Sequence, residues 1–127
     1  MNEKTTLLYV DDEPINLKLF VINFKNKFNV ITADSGFEGL SILKSNPDTN
    51  VVISDMKMPG MNGIEFIRIA KKDFPDLPFF ILTGFDITDE IAKALQEGLI
   101  NKYFRKPFNM HEIEISIQEA LNNSCIE

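Results

Sequence analysis

Five apolar runs of strand length recur along the chain, at Thr6–Val10, Asn29–Ala33, Val51–Ser54, Phe79–Leu82 and Ile100–Phe104, and a stretch with helical signals follows each one. Strands that are apolar at consecutive positions are buried on both faces. Strands that alternate with helices pair in parallel, with the helices laid over the two faces of the sheet. The pattern therefore specifies an α/β domain of (βα)5 type, doubly wound and three layers deep around a parallel five-stranded sheet. At 127 residues the chain has the length of one such domain, expected to span 1–127 around a single core.

The helix limits are readable in places. Pro14 suits a first helical turn, Asn62 suits the cap of the third helix, and Gly98 suits the C-terminal cap of the fourth. In that fourth helix Ile87, Ile91 and Leu95 form an i, i+4, i+8 stripe. The last segment is ambiguous, because Ile113, Ile115 and Ile117 alternate as in a strand. Met110, Ile113, Ile117, Ala120 and Leu121 fit one helical face over a longer span, and Asn109 with Glu112 resembles a cap with its partner, so a helix is expected.

Composition narrows the function. With 44% hydrophobic residues, eleven of them Phe, the chain has ample material for a folded core. A formal net charge of -6 argues against direct nucleic-acid binding, which draws on clustered Lys and Arg. The apolar run Leu7–Val10 is too short for a signal segment, so neither export nor a membrane span is expected. Cys125, the single cysteine, has no partner for an internal disulfide and sits near a chain end, which fits a reducing cytoplasmic setting.

In open parallel sheets, ligands gather beyond the carboxyl ends of the strands. The residues there are Asp11 and Asp12 after the first strand, Asp55 after the third, Thr83 and Gly84 after the fourth, and Lys106-Pro107 past the fifth. Three crowded carboxylates resist ionisation unless a cation joins them, and a hard divalent ion such as magnesium suits oxygen ligands and a phosphate. Asp55 can then serve as a nucleophile toward phosphorus, Lys106 as a point charge for a phosphoryl oxygen and Thr83 as a hydroxyl donor.

The segments "LLYVDDE", "ISDMKMPGMNG", "FFILTG" and "KYFRKPF", in this order and across the whole chain, closely resemble the receiver domain of two-component response regulators. The resemblance implies a flavodoxin-like fold with strand order 2-1-3-4-5, an order taken from the family's chemotaxis regulator and not read from the residues. It implies a phosphorelay switch in place of an enzyme, with Asp55 accepting a phosphoryl group from phosphohistidine on a sensor histidine kinase or phosphotransfer protein. Asp12 would be the direct magnesium (or manganese) ligand, Asp11 would hold the metal or its water, and Lys57 would offer its backbone carbonyl. Lys106 matches the family's lysine, followed by a cis bond to Pro107. Thr83 and Tyr103 match the switch pair, and the fourth helix, fifth strand and fifth helix would form the surface read by a downstream protein, with the chain a monomer or a phosphorylation-dependent dimer. Gly84 departs from the frequent Ala. Lys57 and Phe85 occupy positions that vary the lifetime of the phosphorylated state, and a bulky Phe85 is expected to slow self-dephosphorylation.

Taken singly, each residue has a plainer reading. Asp11-Asp12-Glu13-Pro14 is also an acidic helix start, Asp55 a turn residue, Lys106-Pro107 a loop and Tyr103 a partly buried strand aromatic. Only their convergence lifts the functional reading. His111, the single histidine, lies away from the strand ends and reads as solvated, so the donor histidine must come from another protein. An aspartyl phosphohydrolase would carry a second acid where this chain has Lys57. A flavodoxin-like cofactor binder would need a first loop rich in Gly, Ser and Thr, and this loop is acidic. A degenerate receiver used only for contacts would lack phosphorylation residues that are present here. The tail "NNSCIE" is too short for an output domain, so none is expected in this chain.

Overall fold

The computed structural model describes residues 4–84 and 87–126, with side chains through residue 122. Phe85 and the Cys125 side chain, on which two of the expectations above fall, lie outside the described residues. Strands β1 (Thr5–Val10), β2 (Phe28–Ala33), β3 (Val51–Asp55), β4 (Phe79–Thr83) and β5 (Lys102–Arg105) alternate with helices α1 (Pro14–Phe24), α2 (Gly36–Ser45), α3 (Gly63–Asp73), α4 (Asp89–Gln96) and α5 (Met110–Ile126). All four strand pairings are parallel and the order is β2-β1-β3-β4-β5.

Strand side chains alternate between the two faces of the sheet, and this divides the core in two. Leu8, Val10, Val52, Phe79 and Ile81 pack with Leu43, Phe66, Ile67 and Ile91 of α2, α3 and α4. Leu7, Tyr9, Ile53, Phe80 and Leu82 pack on the other face with Phe20 and Phe24 of α1 and with Ile113 and Ile117 of α5. Every residue of β3 and β4 is buried, whereas edge strands β2 and β5 keep exposed positions. Long apolar runs thus mark the sheet centre.

The caps stand where the residue types place them. Pro14 opens α1. Asn62 and Glu65 exchange side-chain and backbone bonds of 2.8 Å in a complete capping box, and Gly98, at φ +77°, follows the end of α4. α5 is a helix, with the Asn109 side chain accepting from the Glu112 N–H, but Met110 is exposed and does not belong to its buried face. Ile115 is also exposed, as helical geometry requires of a residue between Ile113 and Ile117.

One strand begins later than the apolar pattern predicts. The Leu99 and Ile100 N–H groups bond to the Ala94 carbonyl at the end of α4, and Ile100 is buried against the α2–α4 side of the core. Asn101 then brackets Phe79, donating its N–H to the Phe79 carbonyl (2.8 Å) and accepting the Phe79 N–H on its side chain (3.2 Å). Ile100 is a plug closing a helix end, and β5 starts at Lys102.

Helix α3 starts very close to the end of β3. A Cβ added at Gly63 would strike the Asp55 carbonyl oxygen and come within 2.8 Å of Ile81 Cδ1. Neither the backbone nor the fully buried Ile81 has room to yield. Gly63→Ala is therefore expected to destabilise the domain by about 1–3 kcal/mol, the usual cost of overpacking, read as a lower urea midpoint. An unchanged midpoint would mean that α3 is not seated this tightly.

Candidate functional site

The carboxyl ends of β1, β3 and β4 and the start of the segment after β5 bring Asp12, Asp55, Thr83 and Lys106 together. They line a cleft of about 610 Å³ with Glu13, Lys57, Met58, Pro59 and Gly84. Asp11 lies beneath, fully buried, and one carboxylate oxygen from each of Asp11, Asp12 and Asp55 falls within 4.8 Å of the others. Lys106 reaches into this group, with Nζ 2.7 Å from Asp55 Oδ1 and 3.5 Å from Asp11 Oδ2. Its amide donates to the Thr83 carbonyl (2.8 Å), and the Lys106-Pro107 bond is cis.

Each acid is held differently. Asp55 is the last residue of β3, and its neighbour Met56 donates an N–H to the Leu82 carbonyl, which ties the strand end to β4. Asp11 follows β1; its Oδ1 accepts the Glu13 N–H (3.0 Å) and its Oδ2 the Tyr9 hydroxyl (2.6 Å). Asp12 is the more accessible member, partly exposed to the cleft. Past Asp55 the chain turns through Gly60, at φ +79°, where glycine avoids the strain a side chain would bring.

Burial pushes the Asp55 carboxyl above its ordinary range. The hydrogen bond and charge of Lys106 pull it down, Asp11 and Asp12 push it up, and the balance stays above. Lys106 is pushed down by burial, but Asp55 and Asp11 outweigh that and hold its ammonium above the usual lysine value. Burial first, and then the bond to Asp11, keep the Tyr9 phenol far above its normal range, so it donates at any working pH.

The remaining predicted positions are less central. Lys57 is exposed and lines the cleft. Tyr103 is half-buried on β5, registered opposite Ile81 and packed against the α2–α4 side of the core. It lies near the site without lining the cleft. Among the described residues, a Cβ at Gly84 would come nearest to Lys106 Cδ, at an ordinary contact of 3.8 Å. His111 is exposed on α5. Tyr9 and Gly63 were not singled out from the sequence. The period of two along β1 aims Tyr9 and Asp11 to the same side, and that is the signal that points to Tyr9.

The family model for the response regulator receiver domain matches residues 7–118. The chain belongs to this family. This receiver domain is 31% identical over 126 residues to a chemotaxis protein CheY homolog of Campylobacter jejuni, covering 95% of each chain. It is 34% identical over 120 residues to the transcriptional regulatory protein GlrR of Escherichia coli, where it covers 94% of this chain but only 27% of that protein. A crystal structure of a response regulator receiver domain protein from Clostridium thermocellum superposes with a TM-score of 0.90 at 35% identity, over 96% of this chain and 98% of that one. As a receiver the protein is a phosphoacceptor, and its aspartate cluster is placed as phosphorylation and divalent-cation coordination require. Among the described residues no helix is long and apolar enough to cross a membrane.

The raised Asp55 value has a stability consequence. In the unfolded chain this carboxyl ionises near 3.8, and in the metal-free folded state above that. Between the two values the folded state holds the extra proton, so the contribution of Asp55 is full below 3.8 and is lost as pH rises through the folded value. In chelator, wild-type stability is expected to fall relative to Asp55→Asn across that window, measured by urea unfolding at a series of pH values. Parallel curves would show that Lys106 fully neutralises the cost of ionising Asp55.

Proposed function

We propose that the protein is a phosphorylation-activated switch in a two-component phosphorelay, in which Asp55 takes a phosphoryl group from phosphohistidine on a sensor histidine kinase or histidine phosphotransfer protein. The observation that carries this reading is the contact of Lys106 Nζ with Asp55 Oδ1 at 2.7 Å inside a cluster of three aspartates. Three crowded carboxylates repel one another, and a cation held among them offsets that repulsion. The donor set fits magnesium or manganese, since it is all oxygen and opens on a cleft with room for waters and a phosphoryl group. Asp12 and Asp55, with the Lys57 backbone carbonyl, would hold the ion, and Asp11 would hold it or its water. When bound, the cation neutralises charge on the acids and on the incoming phosphoryl group.

In the transfer, an Asp55 carboxylate oxygen attacks phosphorus while the phosphorus–nitrogen bond to the donor imidazole breaks, and the electron pair leaves with that nitrogen. Lys106 gives up part of its bond to Asp55 to meet a phosphoryl oxygen, and the Thr83 hydroxyl donates to another. Movement of Thr83 toward the phosphoryl group would free space for the Tyr103 ring. The population of the surface formed by α4, β5 and α5 would shift, and a downstream protein would read that shift. The relatives include a protein of matching length and much longer regulators, and the reading applies to this domain in either setting.

Acetyl phosphate with magnesium is expected to add one hydroxylamine-labile phosphoryl group to the intact mass, and Asp55→Asn or chelator to abolish it. Label that persists in Asp55→Asn would place the chemistry on another residue. No label under conditions that label a control receiver would favour a role in binding alone.

A further inference from the structure

We propose that Tyr9 is a positioning residue of this site, its hydroxyl fixing the direction in which Asp11 faces the cation. The inference rests on the reading of Asp11, Asp12 and Asp55 as the holders of a divalent ion.

Tyr9 and Asp11 are both buried, and the Tyr9 hydroxyl donates to Asp11 Oδ2 at 2.6 Å. The Glu13 N–H occupies Asp11 Oδ1 at 3.0 Å, and Lys106 Nζ stands 3.5 Å from Oδ2. A carboxylate offers about four lone-pair positions. With three donors of the chain set around it, little freedom remains in how Asp11 faces Asp12 and Asp55.

The donor itself is rigid. The Tyr9 ring stacks on Phe20, with centroids 4.0 Å apart and planes 10° apart, and Phe20 in turn meets Phe24 at 4.5 Å and Phe108 at 5.7 Å. Packing alone does not call for the hydroxyl, since a phenylalanine fills the same space in a cluster made of phenylalanines. What the oxygen adds is the bond to a fully buried carboxylate.

That bond also bears on the lysine. Without it, Lys106 would be the remaining donor described at Asp11 Oδ2, and the ammonium would be drawn from Asp55 toward Asp11. The Tyr9 hydroxyl therefore aims Asp11 and leaves Lys106 to the phosphoacceptor. Partners beyond the immediate ligands commonly change metal affinity or activity by about 10–100-fold when removed.

The test compares Tyr9→Phe, which deletes the hydroxyl and keeps the stack, with Phe20→Leu, which weakens the stack and keeps the hydroxyl. Magnesium is titrated into each by NMR, and acetyl phosphate labelling is then timed at saturating magnesium. Tyr9→Phe is expected to bind magnesium about 10-fold more weakly and to label more slowly even when saturated, with Phe20→Leu within about twofold of wild type on both. Equal magnesium affinity in Tyr9→Phe and wild type would overturn the proposal, as would an equal loss in Phe20→Leu, which would assign the effect to packing. Wild-type protein that binds magnesium but takes no label would sink the reading of Asp55, while the two titrations would still decide the role of Tyr9. Wild-type protein that binds no magnesium would overturn both.

Discussion

Three aspartates share one end of the sheet with Lys106, and most of the architecture follows from holding that arrangement in place. Like charges at this spacing repel, and burial of Asp11 and Asp55 removes the water that would screen them. Such a cluster persists only where the surrounding fold is rigid enough to impose it. Here β1 and β3 lie side by side, Leu7 to Val10 registering with Val51 to Ser54, and this pairing brings the acids at their ends together. Carboxylates held this close call for positive charge among them.

The buried strand that ends in a charge is explained by the same demand. Val51, Val52 and Ile53 anchor Asp55 from both faces of the sheet, and the close seat of Gly63 fixes its carbonyl from behind. In the proposed transfer, an Asp55 carboxylate mounted this way would need little reorganisation when a phosphoryl group arrives. The cleft in front is lined by Thr83 at the end of β4 and by Lys106 just past β5.

Much of this was legible in the sequence because the signals were local. Apolar runs located all five strands, Pro14, Asn62 and Gly98 marked helix ends, and the residues at the strand ends named the acids and the lysine. What was missed depends on contacts between distant parts of the chain. Ile100 has the pattern of a strand residue, but its N–H closes α4. Met110 fits the periodicity of α5, yet it lies at the exposed first turn. The need for glycine at 63 arises only from how closely α3 meets β3, and the importance of the Tyr9 oxygen only from where Asp11 turns its side chain. The strand order was taken from the family, since periodicity does not carry it; the structure has the same order.

The most direct test of the carboxylate repulsion is thermal unfolding at pH 7, followed by circular dichroism in chelator and across a magnesium titration, for wild type and Asp55→Asn. Wild type is expected to melt higher as magnesium rises, because the ion binds the folded state alone, and Asp55→Asn is expected to melt above wild type in chelator and to respond less to the ion. A wild-type midpoint indifferent to magnesium, or an Asp55→Asn protein less stable than wild type in chelator, would contradict the account of carboxylates whose repulsion a cation relieves.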